Sequence, residues 1–204
     1  MNQSAGPGTE TWRKGLHLTA LVLPVAVWWW GAPFVYGVLI PGSLLALAAD
    51  LTRVRIAWLH RTIGFVFGPV MRAKERPPLG AVPVVNGATW MVLAGAFVFA
   101  AFPFPVAAVA FSMLVLGDAA AALVGRAVGR TRIASTGKTL EGSLAFLGAA
   151  LLPVAWAWWT GSVGPGVGLA AALVGAVVEA TSTRINDNLL IPLAAAAVMT
   201  GLGA

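Results

Sequence analysis

Polar positions are few along this chain, and they are bunched. Its 20 charged side chains fall into four clusters, Glu10 to Lys14, Asp50 to Arg76, Asp118 to Glu141 and Glu179 to Asp187, separated by uncharged runs at 15–49, 77–117, 142–178 and 188–204. The first three runs contain 35, 41 and 37 residues, whereas one helix crossing about 30 Å of hydrocarbon needs about 20. Each is long enough for two crossings, and each is interrupted near its middle: Gly31-Ala32-Pro33, Phe102-Pro103-Phe104-Pro105, and the stretch from Gly161 to Gly166 that contains Pro165. The final run of 17 residues suffices for one short crossing. The pattern predicts an all-α, polytopic membrane bundle of about seven helices, at 15–31, 34–50, 84–101, 105–124, 141–160, 166–183 and 188–203.

An even number of crossings between successive clusters puts all four clusters on one side of the membrane. Those clusters hold all 13 Lys and Arg, so the positive-inside rule makes their side cytoplasmic, with the N-terminus inside and the C-terminus outside. The expected organisation is a disordered tail, residues 1–9, followed by a single transmembrane domain, 10–204, with charged cytoplasmic loops at 51–83, 125–140 and 184–187. No small-residue cleavage site follows the first apolar segment, so that segment is expected to be retained. Loop 51–83 mixes Arg53, Arg55, Arg61, Arg72, Lys74 and Arg76 with Trp58, Phe65 and Phe67. An interfacial amphipathic helix on anionic headgroups is preferred there to a nucleotide-binding segment. Trp28, Trp29 and Trp30, like Trp156, Trp158 and Trp159, fall at expected outer helix ends and read as interfacial anchors.

Composition narrows the class further. A charged content of 10% with mean hydropathy +0.86 excludes an ordinary water-soluble globule. The chain has no cysteine, which excludes disulfides, thiolate metal sites and a thiol nucleophile. The net charge of +6 lies beside the spans, where topology and anionic lipid headgroups account for it without nucleic acid.

Three acids break the expectation that carboxylates avoid hydrocarbon. Asp118 lies inside the fourth span, Glu141 opens the fifth and Glu179 lies near the inner end of the sixth; ionisable groups there are by default functional. With Asp187 they put four carboxylates on one face, and Arg126, Arg130, Arg132 and Lys138 occupy the loop between Asp118 and Glu141. Carboxylates for a divalent ion beside cations for phosphate oxygens are what phosphoryl or nucleotidyl transfer requires, because that chemistry is mostly charge neutralisation and positioning. Simpler roles stand beside these: a topology signal for the arginines, an N-cap for Asp187, a favourable helix dipole for Glu141. Gly137-Lys138-Thr139 is not a Walker loop, since Arg132 occupies the place of its first glycine and no strand precedes it. Gly125 and Gly129 suit close approach to a phosphate as well as helix packing. His17, one turn after Arg13-Lys14, is placed to face the same cytoplasmic pocket.

Taken in order, Gly117-Asp118-Ala119-Ala120-Ala121, Gly125-Arg126, Gly129-Arg130, Gly137-Lys138-Thr139-Leu140-Glu141-Gly142-Ser143, then Glu179 and Asp187-Asn188-Leu189 with Pro192, resemble the CTP-dependent lipid kinase family. That family includes dolichol, phytol and farnesol kinases and the CTP-using diacylglycerol kinase, and is distantly similar to the phosphatidate cytidylyltransferases. Glu10, Arg13-Lys14 and His17 also resemble the family's opening. Thr139 stands where serine is common, and Asn186 stands where a second acid often precedes Asp187.

The resemblance implies that the transmembrane domain is catalytic and moves the γ-phosphoryl group of CTP to the hydroxyl of a membrane lipid alcohol of polyprenol, phytol or diacylglycerol type, with Mg²⁺, at the cytoplasmic face of a prokaryote-like cell membrane. Asp118, Lys138 and Glu141 are the expected catalytic residues. Gly117, Gly125, Arg126, Arg130, Gly137, Lys138, Thr139 and Asn188 are expected at the nucleotide and its phosphates, and Asp118, Glu141, Glu179 and Asp187 at the metal. Asp118 is open to either metal ligation or acceptance of the hydroxyl proton. Expected partners are the lipid alcohol, CTP and anionic headgroups, with oligomers compatible and nucleic acid not expected. Two alternatives stand: cytidylyl transfer from CTP to a phosphorylated lipid, and a non-catalytic transporter or scaffold whose acids form an ion path. A transporter path predicts charges through the depth of the bilayer, whereas all 20 lie toward one face.

Overall fold

The structure, a computed structural model, describes residues 7–183 and 185–204, with side chains from residue 12 onward. Residues 1–6 of the expected tail and the Glu10 side chain lie outside the described residues. The described residues are 77% helix and contain no strand. In order the helices are α1 (Pro7–Leu18), α2 (Val22–Trp30), α3 (Ala32–Phe34), α4 (Ile40–Thr52), α5 (Ala57–Phe67), α6 (Gly87–Ala101), α7 (Phe104–Ala127), α8 (Leu140–Trp159), α9 (Pro165–Thr181) and α10 (Asp187–Gly201). Pro7 opens α1 inside the stretch expected as tail; proline suits a first helical position because its missing N–H would have no partner there.

The helices break where the sequence predicts. Gly31 separates α2 from α3 with φ 60° and ψ −146°, a conformation that needs glycine. Pro103 in extended conformation starts α7, and the turn around Gly161 separates α8 from α9. Helix α3 runs into α4 through a π-helical segment, Val35–Leu39. Pro41 at the start of α4 explains it: without an N–H it cannot bond to Gly37, and its ring crowds that carbonyl, so the helix locally widens.

Three helical stretches are long and apolar enough to cross a membrane: Ala32–Thr52, Phe104–Ala127 and Leu140–Trp159, of 21, 24 and 20 residues. Helices α6, α9 and α10 are apolar but contain 15, 17 and 15 residues. Side-chain caps fix where two of them begin. Asn86 accepts the Thr89 N–H at 2.9 Å, starting α6 three residues later than the hydropathy run suggests, and Asn186 accepts the Asn188 N–H at 3.0 Å to start α10. Asp187 is therefore the first residue of α10 and not its N-cap.

Helix α7 is the centre of the molecule, with α8 packed along it and α1, α6, α9 and α10 also against it. Its Phe111, Met113, Leu114 and Val115 are fully buried. Phe146 of α8 is the wedge that sets helix spacing: it is fully buried, a Cβ on Gly117 would overlap its ring, and one on Gly175 of α9 would lie 3.2 Å from it. Helix α5 lies outside this core with no buried residue and with Trp58, Phe65 and Phe67 exposed, as an interfacial helix requires. The tryptophans ending α2 and α8 are exposed as well.

Loop 53–86 is tied down by a buried polar network. Asp50 accepts from the Asn86 backbone at 2.9 Å, the Asn86 amide at 2.8 Å and the Thr89 hydroxyl at 2.7 Å, and its other oxygen is 3.2 Å from Arg53 Nε. Arg53 donates to the carbonyls of Glu75 at 2.8 Å and Val84 at 3.1 Å. The carboxylate at the end of α4 thus anchors the start of α6, which accounts for a buried acid outside any cleft.

Candidate functional site

The end of α7 and the start of α8 are held close by small residues around one hydroxyl. Thr139 Oγ1 caps α8 by accepting the Gly142 N–H at 3.2 Å. A Cβ on Gly125 would come within 2.8 Å of that oxygen and one on Gly142 within 2.9 Å of the Ala121 carbonyl. The segment between turns back on itself: Ile133 N–H donates to Lys138 O at 2.8 Å and Leu140 N–H to Thr131 O at 2.9 Å. Gly137 supplies the reversal with φ 71°. Lys138 follows directly and is directed toward α9 and α10.

There the Lys138 ammonium meets three oxygens, Asp187 Oδ2 at 2.9 Å, Glu179 Oε1 at 3.2 Å and the Glu179 carbonyl at 2.5 Å. The second Glu179 oxygen accepts from Ser143 Oγ at 2.7 Å. Burial alone would lower the Lys138 pKa, but the Asp187 and Glu179 carboxylates outweigh it and hold the ammonium above its ordinary value. Asp118 is engaged from α1: Lys14, itself buried, forms a short ion pair with Asp118 Oδ2, and His17 Nε2 lies 3.4 Å from the same oxygen with no hydrogen-bond partner.

Lys14, Asp118, Lys138, Glu179 and Asp187 border one open cavity of about 380 Å³, while His17, expected to face it, is buried behind Asp118 and does not line it. Of the expected residues it is lined by Asp118, Gly125, Arg126, Gly137, Lys138, Thr139, Glu179 and Asp187. Arg132 and Gly129 also line it. Two cations that sequence reading did not assign to the site join them, Lys14 and Arg72. Lys14 had a signal, since Arg13-Lys14 heads the first apolar run; Arg72 lies in the loop where the sequence favours an interfacial helix over a nucleotide-binding segment. The lining thus holds five cations, Lys14, Arg72, Arg126, Arg132 and Lys138, against three carboxylates. Such a surplus around carboxylates suits a polyanion bound with a metal ion.

Four expected residues lie elsewhere. Gly117 sits directly before Asp118 but against Phe146, where its small size serves packing. Glu141 accepts the Thr131 N–H, at 3.1 and 3.3 Å from its two oxygens, and so pins the turn that carries Lys138. Arg130 does not border the cavity. Asn188 is buried and donates to the Gly87 carbonyl at 2.9 Å, joining the first turns of α10 and α6.

Among the described residues no three His, Asp or Glu side chains converge in a set that could hold a metal. Glu179 and Asp187 nevertheless suit one. The three oxygens around the Lys138 ammonium already enclose a cation, and all are hard donors of the kind Mg²⁺ takes. Glu141, turned to Thr131, is not part of that set.

The chain is 28% identical over 188 residues to an uncharacterized protein of Rickettsia prowazekii (strain Madrid E), with 90% of each chain covered. No protein-family model and no solved structure matches it.

Proposed function

We propose that this chain is a seven-span membrane enzyme, N-terminus inside and C-terminus outside, that transfers the γ-phosphoryl group of CTP to the hydroxyl of a lipid alcohol at the cytoplasmic membrane face. The observation that carries the reading is the cavity in which Lys14, Arg72, Arg126, Arg132 and Lys138 surround Asp118, Glu179 and Asp187. Those residues come from four separate segments of the chain, and their side chains supply what phosphoryl transfer asks of a protein, namely cations for the transferred group and fixed carboxylates near it. The lengths of α6, α9 and α10 are compatible with spanning where the bilayer thins or the flanking residues snorkel.

In this reading Lys138, Arg126 and Arg132 bind the triphosphate, with Thr139 and the glycines leaving room for its oxygens. Glu179 and Asp187 would hold Mg²⁺, which when bound would neutralise triphosphate charge. Asp118, about two and a half turns inside α7, faces the alcohol. As the alcohol oxygen bonds to the γ-phosphorus, the bond from phosphorus to the bridging oxygen breaks and its electron pair leaves with CDP. The hydroxyl proton passes to the Asp118 carboxylate, with the Lys14 ammonium beside it. Glu141 keeps the turn that aims Lys138.

The test is reconstitution of the purified protein in vesicles with γ-labelled CTP, Mg²⁺ and phytol, farnesol, longer polyprenols, diacylglycerol or phosphatidate in parallel. Label in the lipid with CDP released is the expected result. Pyrophosphate release with cytidine in the lipid would replace the kinase by a cytidylyltransferase, and no turnover with any acceptor would remove the enzyme reading.

A further inference from the structure

Arg72 reaches the cavity from a loop that has no other part in it, and that loop is fastened on both sides of this residue. Met71 and Glu75 are buried while Arg72 is exposed toward the cavity. Glu75 makes the connection: Oε2 accepts the Arg72 N–H at 2.9 Å and Oε1 accepts the Gly87 N–H at 3.2 Å. The Gly87 carbonyl in turn accepts from Asn188, next to Asp187 in the cavity wall. One buried carboxylate thus fixes the backbone that presents Arg72 and, through Gly87 and Asn188, adjoins the opposite wall. Its two oxygens are used on backbone donors, and among the described residues no cation forms an ion pair with it. A carboxylate kept buried for two backbone amides is costly unless the geometry it enforces matters.

We propose that Arg72 is a phosphate-binding residue of the cavity and that Glu75 is its positioning residue. The inference rests on the reading of the cavity as a polyphosphate site and extends that site to a segment of loop 51–83. The guanidinium suits the role because it stays charged and offers a planar fork of donors to phosphate oxygens.

Inorganic tripolyphosphate, titrated calorimetrically into the protein in nanodiscs, tests this without any turnover. Arg72→Met, which removes no buried contact, is expected to weaken binding about tenfold, the scale of one charge-assisted contact. Lys74→Met changes the same net charge two residues away, outside the cavity, and is expected to leave binding within about twofold. Glu75→Gln keeps one carbonyl acceptor and the volume, and is expected to weaken binding less than Arg72→Met and to add nothing in the double variant. A Glu75→Gln effect that persists undiminished with Arg72 removed would overturn the positioning role. Unchanged affinity in Arg72→Met, or no affinity in the wild type, would overturn the site. Arg72-dependent binding without CTP turnover would instead sink the kinase reading and leave this inference standing.

Discussion

Lys14 and Asp118 are 104 residues apart in sequence, and in the structure their charged groups form a direct ion pair at the wall of the cavity. The pair fixes the C-terminal half of α1 to the central helix α7. Lys14 is buried, so its ammonium has no water to fall back on when Asp118 is removed. Breaking such a pair from one side costs about 3–5 kcal/mol. Lys14→Met is therefore expected to lower stability by that order and to abolish transfer. Thermal unfolding of the purified variants, with Asp118→Asn and the double variant, checks it. A double variant as unstable as the sum of the singles would contradict direct pairing.

Phe146 against Gly117 makes a steric prediction. Gly117→Ala must push the ring or separate α7 from α8, at about 1–3 kcal/mol. Phe146→Leu combined with Gly117→Ala is expected to recover part of that loss, seen as a higher unfolding temperature than Gly117→Ala alone. No recovery would mean the strain lies elsewhere.

Lys138 gives the pH dependence. Its pKa in the folded chain lies above the ordinary 10.5, so the ammonium's contribution to stability is complete below 10.5 and is lost only as pH rises through the raised value. The difference in unfolding temperature between wild type and Lys138→Met is expected to stay constant from pH 7 to about 10 and to shrink above that. Turnover by Lys138→Met should fall by about 10² or more, as for loss of a group aimed at developing charge. A difference that already declined between pH 7 and 9 would refute the coupling to Glu179 and Asp187.

The Asp50 network predicts a defect far from chemistry. Asp50→Ala leaves the Asn86 and Thr89 donors and Arg53 without their acceptor in a buried place, at about 3–5 kcal/mol. Protease should then cut the segment between α4 and α6 faster than in wild type. Equal cutting rates would show that the network does not hold the loop.

The sequence was legible where one local signal decides the outcome. Gly31, Pro103 and Gly161 break helices through their own backbone preferences, so the apolar helices from α3 onward followed within a few residues, while the expected span 15–31 is the end of α1, a 3₁₀ turn and α2. Uncharged runs and charge clusters likewise separated helix bodies from their charged ends. Partnership between distant segments was not legible. Nothing in the periodicity of 7–18 says that Lys14 meets Asp118, and nothing near Arg72 says that a turn closed by Glu75 aims it at α7. The family resemblance implies Asn188 at the phosphate and Glu141 at the metal, and in the structure their nearest partners are the Gly87 carbonyl and the Thr131 amide. Polar residues beside a site are often its scaffolding, and only the neighbouring backbone reveals which.

The carboxylates of the cavity already have ammonium partners from the chain itself, Lys14 on Asp118 and Lys138 on Glu179 and Asp187. Each acid of the cavity is thereby bridged by a cation of the chain itself, with one ammonium shared between Glu179 and Asp187. No ion from solution is needed to hold these acids together. Under the proposed function, chelator should leave the unfolding temperature unchanged while stopping turnover, and in the cell an idle molecule would not draw on the magnesium pool until nucleotide arrives.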